Sequence, residues 1–145
     1  GIVSVLGSYF VVAHTIPSLI LVLPAAAIGC FSVSVLNVNN IRDMESDRGI
    51  RVTIPLRIGI RNARIYHTAL IVLGWACLVA FNLMRFPDPW HWTFIVTLPL
   101  FIIHLRGVWT MEGRALDKML PLLVMSTFVL SLLLGGGYMM FLLKL

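Results

Sequence analysis

The sequence predicts an all-α protein, a polytopic membrane helical bundle with about five transmembrane helices, the first of them truncated. Three observations carry that expectation. Of 145 residues, 59% are apolar and only 12% charged, with a mean hydropathy of +0.97; a water-soluble chain of this size could not cover so much apolar surface with so few charges. The apolar residues come in runs close to the ~20 residues that cross a bilayer. The charges fall between those runs and not along one face of them. The net charge of +5 would elsewhere point to nucleic acid, but this placement is explained by membrane topology, so no nucleic-acid partner is expected.

Taken in order, Gly1 to Ala13 is apolar but long enough for only roughly half to two-thirds of a crossing. It reads as the end of a span whose start is missing. No initiator Met and no basic stretch precedes it. Residues 1–145 are therefore expected to be a single transmembrane domain, a C-terminal fragment of a longer protein whose N-terminal half is the missing partner. His14-Thr15-Ile16-Pro17 supplies a break, since Pro is at home in a first helical turn. Ile16 to Val38, 23 residues without a charge, is the second span. Pro24 is expected to kink it, a feature that in membranes often accompanies a cavity.

Arg42 to Arg61 forms an ionic connection in which Gly49 and Pro55 argue against one long straight helix. Ala63 to Met84 is the third span. Phe86-Pro87-Asp88-Pro89-Trp90-His91-Trp92 is a short turn whose tryptophans suit a headgroup boundary. Thr93 to Leu105, extending to Thr110, is the fourth span, and a second polar connection then holds Arg106, Glu112, Arg114, Asp117 and Lys118. Leu120 to Leu143 is the last span, with a Gly135-Gly136-Gly137 run that permits close helix approach.

Alternate connections differ sharply in charge. Arg42, Arg48, Arg51, Arg57, Arg61, Arg64, Arg106, Arg114 and Lys118 belong to the two ionic connections, whereas the other side has only Arg85 and the terminal Lys144. By the positive-inside rule the acidic connection faces the cytoplasm, and the chain is expected in the cell inner membrane.

The chain is organised around Asn37 to Gly59. No Asp, Glu, Lys or Arg precedes Arg42, and then Arg42, Asp43, Glu45, Asp47, Arg48 and Arg51 follow within ten residues. If the helix of the second span runs past Asn40, its period stacks Asn37, Asn40, Asp43 and Asp47 on one face. Amide and carboxylate oxygens converging there suit Mg2+, which takes one or two carboxylates plus substrate phosphates. Arg48, Arg51 and Arg57 could grip phosphate oxygens through planar forks. The competing reading is structural: Asn and Asp gather at helix ends because they bond to backbone, and arginines flank spans for topological reasons.

Asn40-x-x-Asp43-x-x-x-Asp47, followed by Arg51-x-Thr53 and Arg57-x-Gly59, resembles the second aspartate-rich motif of the UbiA-type prenyltransferases. Asn37-Val38-Asn39-Asn40-Ile41-Arg42-Asp43 most resembles the branch of that family that prenylates dihydroxynaphthoate in menaquinone biosynthesis. The likeness extends over nearly the whole chain, including Asn62-Ala63-Arg64-x-Tyr66-His67 and Gly7-Ser8-Tyr9. Two departures stand out: Ile50-Arg51-Val52-Thr53 replaces the usual Gly-Lys-x-Thr, and the loop is about one residue shorter.

The resemblance implies part of a larger nine-helix fold. It also implies Mg2+-dependent transfer of a polyprenyl group from its diphosphate to an aromatic acceptor, dihydroxynaphthoate, within the membrane lipid. In that scheme Asp43 and Asp47 are catalytic. Asn40, Asp43 and Asp47 hold Mg2+, and Asn37, Arg42, Arg48, Arg51 and Arg57 bind substrate. The family's first aspartate motif is absent from these residues, so the chain alone is expected to be inactive. A 4-hydroxybenzoate enzyme and an ion or solute transporter segment are the alternatives; a transporter should carry a charge near mid-span.

Other candidates are assigned to structure. Cys30 and Cys77 lie in apolar runs without metal-type spacing. His14, His67, His91 and His104 share no ligand spacing and read as packing or interfacial residues, as do Trp75 and Trp109. Tyr9 could face the substrate cavity, as the resemblance hints. Glu45 points away from the acidic face, and Asp117 with Lys118 reads as a juxtamembrane pair.

Overall fold

The computed structural model describes residues 1–85 and 89–142. Phe86, Pro87 and Asp88 of the expected turn, and Leu143 and Lys144, lie outside the described residues. The described residues are helical almost throughout and include no strand. The α-helices are α1 (Ile2–Ala13), α2 (Val22–Arg42), α3 (Met44–Asp47), α4 (Ile54–Ile58), α5 (Ile60–Arg85), α6 (Leu98–Thr110) and α7 (Met119–Leu142). Stretches of 3-10 helix at Leu19–Leu21, Pro89–Thr97 and Gly113–Lys118 lead into α2, α6 and α7.

Joined in this way, Leu19–Arg42, Ile60–Arg85, Pro89–Thr110 and Gly113–Met140 are each long and apolar enough to cross a membrane, and α1 is a shorter apolar helix. The expected spans are therefore present, with local differences: Pro89, Trp90, His91 and Trp92, expected in a turn, open the fourth span as 3-10 helix. The second span begins at Leu19 and not at Ile16, so Pro24 falls in the first turn of α2. Its missing N–H falls opposite the carbonyl of Ile20, in the 3-10 turn that opens the span, so Pro24 acts near the start of the span and not in its middle. His14 ends α1 in the left-handed region, with φ 52°.

The bundle is apolar inside and out. Val33, Leu36, Val72, Ile102, Phe128 and Leu132 are exposed, which suits lipid as the solvent. α2 lies against α5, Asn37 meeting Ala63 near one end and Phe31 meeting Gly74 further along. A Cβ at Gly74 would stand 2.5 Å from the Phe31 ring, so the missing side chain is what lets the two helices approach. Phe31 packs on Phe101 with centroids 5.0 Å apart, and Trp75 meets Phe101 edge-on at 5.4 Å. Trp75 is thus a core residue, while Trp109 donates its indole N–H to Thr68 Oγ1 at 3.0 Å.

The glycine run in α7 divides its work unequally. Among described residues, nothing approaches the Cβ positions of Gly135 or Gly136, whereas a Cβ at Gly137 would collide with the Trp90 carbonyl oxygen. Backbone cannot yield as a flexible side chain can. Gly137→Ala is expected to cost about 1–3 kcal/mol, the usual penalty of overpacking, and to lower the unfolding midpoint in detergent. Gly136→Ala should leave that midpoint where it is.

Candidate active site

The two ionic connections meet at one end of the bundle. The first runs from Asp43 to Gly59 after α2, the second from Met111 to Lys118 after α6. Arg42 Nη1 donates to Asp117 Oδ1 at 2.9 Å, and Arg64 Nη2 donates to the Met111 carbonyl at 2.9 Å. Gly49 and Gly59 turn the first connection with φ of 84° and 81°, a region other residues rarely occupy.

The helix continues past Asn40, which is the condition on which the stacking of the acids depended. α2 runs to Arg42, pauses at Asp43 (φ −93°, ψ 8°), and takes one more turn through α3. The Asp47 amide donates to the Asp43 carbonyl at 2.9 Å, and the Asp43 amide to that of Asn39 at 3.0 Å. Asp43 and Asp47 are therefore one turn apart on one side of the helix end. Helix C-termini carry partial negative charge, so acids there are unfavourable unless a cation answers them.

Two arginines supply that charge. Arg42 forks Asp43, Nε to Oδ1 at 2.7 Å and Nη2 to Oδ2 at 2.7 Å. Arg51 Nε donates to Asp47 Oδ1 at 2.8 Å. The hydrogen bond from Arg42 holds the Asp43 carboxyl below the usual carboxylate range; partial burial opposes this, and the charges of Arg42 and Arg51 add to it. Because Arg51 acts on both acids, they share one electrostatic neighbourhood.

The remaining residues of the predicted set separate into committed and free groups. Asn37 is buried and donates to the Ala63 carbonyl at 3.1 Å, fastening α2 to α5, while its Oδ1 is buried without a partner among the described residues. Asn40 is half-buried. Asp47 is buried, 4% exposed, and its Oδ2 has no hydrogen-bond partner among the described residues. Arg48 and Arg57 are exposed and without an ion-pair partner among the described residues. Glu45 is exposed and belongs to no ion pair there either.

Buried acceptors with no donor are costly, and the Oδ2 of Asp47, without a partner among the described residues, is a hard oxygen ligand of the kind a divalent cation takes. Asn40, Asp43 and Asp47 fit such an ion in chemistry. Among the described residues no three His, Cys, Asp or Glu side chains cluster as metal ligands, so these residues would supply part of a shell and not all of it.

Sequence reasoning missed two features. Asp117 pairs with Arg42 and not with Lys118, a link between connections 75 residues apart that no local spacing announces. His67 and His104 are both fully buried, with their Nε2 atoms 2.9 Å apart, and His104 Nδ1 lies 3.0 Å from the Met119 carbonyl. They belong to α5 and α6, so their pairing has no signature in sequence separation. Tyr9 is 41% exposed. It does not line the cleft of about 730 Å³ at the opposite end of the bundle, to which Leu21, Pro24, Phe81, Arg85 and Tyr138 contribute.

The described residues form an all-helical bundle of membrane-spanning length with a paired acid and arginine cluster at one helix end, and the chain belongs to the UbiA prenyltransferase family, whose model matches residues 1–128. It is 40% identical over 136 residues to the 1,4-dihydroxy-2-naphthoate octaprenyltransferase of Escherichia coli (strain K12), covering 92% of this chain and 44% of that protein. It is 32% identical over 143 residues to the 1,4-dihydroxy-2-naphthoate octaprenyltransferase of Haemophilus influenzae (strain ATCC 51907 / DSM 11121 / KW20 / Rd), covering 93% of this chain and 46% of that protein. The chain thus spans about half the length of the curated relatives it matches. No solved structure matches it.

Proposed function

We propose that this chain serves a membrane-embedded polyprenyltransferase that moves a polyprenyl group from its diphosphate to 1,4-dihydroxy-2-naphthoate, a step of menaquinone biosynthesis. The observation that carries this reading is the 40% identity across 92% of the chain to a relative of that name. In the same reading the protein lies in the inner membrane with its ionic end toward the cytoplasm, supported by the gathering of nine of its eleven basic residues in the two ionic connections.

Transfer requires that the diphosphate leave with its electrons while the allylic carbon turns cationic. Arg48 and Arg57, exposed and without an ion-pair partner among the described residues, are available to take phosphate oxygens, and Arg51 has guanidinium arms beyond the one on Asp47. Asn40, Asp43 and Asp47 would hold Mg2+, which when bound supplies Lewis-acid stabilisation of the leaving group. The apolar walls between spans house the isoprenoid tail and keep water from the cation. The electron-rich acceptor ring then forms the new carbon–carbon bond, losing its carboxylate in the process.

The test is product analysis of the complete protein in membranes, with dihydroxynaphthoate and 4-hydroxybenzoate as competing acceptors. The expected product is prenylated naphthoquinol with loss of CO2. Prenylated hydroxybenzoate alone would reassign the acceptor, and no prenylated product from either would remove the reading. A structural prediction accompanies it: Mg2+ together with a non-hydrolysable prenyl diphosphate analogue should protect the Arg42 to Arg61 connection from proteolysis, and neither alone should do so fully.

A further inference from the structure

We propose that Asp117 is a positioning residue for the acidic site, governing through Arg42 how freely Asp43 accepts a divalent cation. This rests on the reading of Asp43 as a metal ligand. The carboxylate of Asp43 is held by Arg42 at both oxygens, each contact 2.7 Å. A forked guanidinium neutralises the carboxylate and occupies its outward side, so an incoming dication meets a positive charge where it needs a negative one. Asp47 differs: Arg51 takes only its Oδ1, and Oδ2 is unpartnered. One acid keeps a buried oxygen without a hydrogen-bond partner among the described residues, and the other is latched at both oxygens.

The latch has a second seat. The remaining arm of Arg42, Nη1, donates to Asp117 Oδ1 at 2.9 Å, so one guanidinium bridges two carboxylates from separate connections. The Arg42 side chain is only 25% exposed, and stranding its charge without a carboxylate would be unfavourable there. Asp117, 55% exposed at the rim, lets Arg42 turn off Asp43 and keep a counter-ion. Without Asp117, releasing Asp43 means leaving Arg42 unpaired. The second ionic connection therefore takes part in metal capture without touching the metal.

The proposal is tested by Mn2+ binding, followed by electron paramagnetic resonance on the full-length protein in detergent without substrate. Asp117→Asn is expected to weaken Mn2+ binding about three- to five-fold, the scale of a partly exposed ion pair, and Asp117→Glu to restore it. Arg42→Gln is expected to tighten binding, and in that background Asp117→Asn should have no further effect. Unchanged Mn2+ affinity in Asp117→Asn overturns the proposal, as does an equal shift in both backgrounds, which would mean only a long-range field. If Asp43→Asn itself leaves Mn2+ binding intact, the metal reading of the site falls. If Asp43→Asn weakens binding while Asp117→Asn is silent, only the role of Asp117 falls.

Discussion

Asp47→Asn and Asp43→Asn are each expected to lower prenyl transfer by the complete protein by about 10²–10³-fold, the scale of losing one group that stabilises charge in a transition state. Both substitutions keep volume and shape, so membrane insertion and the packing of α2 on α5 should survive. The two should nonetheless differ in kind. Asp47 is buried with one oxygen unpartnered, so its replacement removes an available ligand directly. Asp43 is already forked by Arg42, and its replacement also frees that guanidinium, which then pairs with Asp117 alone. Metal affinity should therefore fall further in Asp47→Asn than in Asp43→Asn. Glu45→Gln is the control, because that side chain is exposed and outside every ion pair among the described residues. Retained turnover in both aspartate variants would deprive the site of its proposed metal role.

How much of this was legible in the sequence depends on whether a feature is local. The spans follow from runs of apolar residues, and the shared side of Asp43 and Asp47, once α2 continues beyond Asn40, follows from helical spacing, because both depend on neighbours within a turn or two. Pro24 shows what local reasoning needs. The same residue kinks a helix from within or opens one from its first turn, and the deciding fact is where the helix starts. The arginines show a second limit. Composition places them at the membrane surface but says nothing of which are committed; Arg42 and Arg51 hold the acids while Arg48 and Arg57 are free, a division that depends on loop geometry. Asp117 and the histidine pair were illegible for a third reason. Each joins helices or connections whose register no periodicity fixes.

The histidine pair carries the second large prediction. A backbone carbonyl only accepts, so His104 Nδ1 must carry the proton it gives to Met119. Its Nε2 is then an acceptor, and His67 Nε2 is the donor across 2.9 Å. His67 Nδ1 is left buried with a lone pair and no partner among the described residues. One direction of hydrogen bonding thus ties α5 to α6 and α6 to the start of α7, beneath the ionic connections. His104→Leu removes the acceptor and leaves both nitrogens of a fully buried His67 unpaired, an expected cost of about 1–3 kcal/mol. Polar pairs in membranes average nearer ~0.6 kcal/mol, because the unfolded helices still find partners in the bilayer. Here both rings are enclosed by protein, so the upper range applies. Replacing both histidines by Leu removes donor and acceptor together and should cost less than the two single changes added, by at least about 0.6 kcal/mol. Unfolding by denaturing detergent would measure all three variants, and strict additivity would show that the rings merely pack side by side.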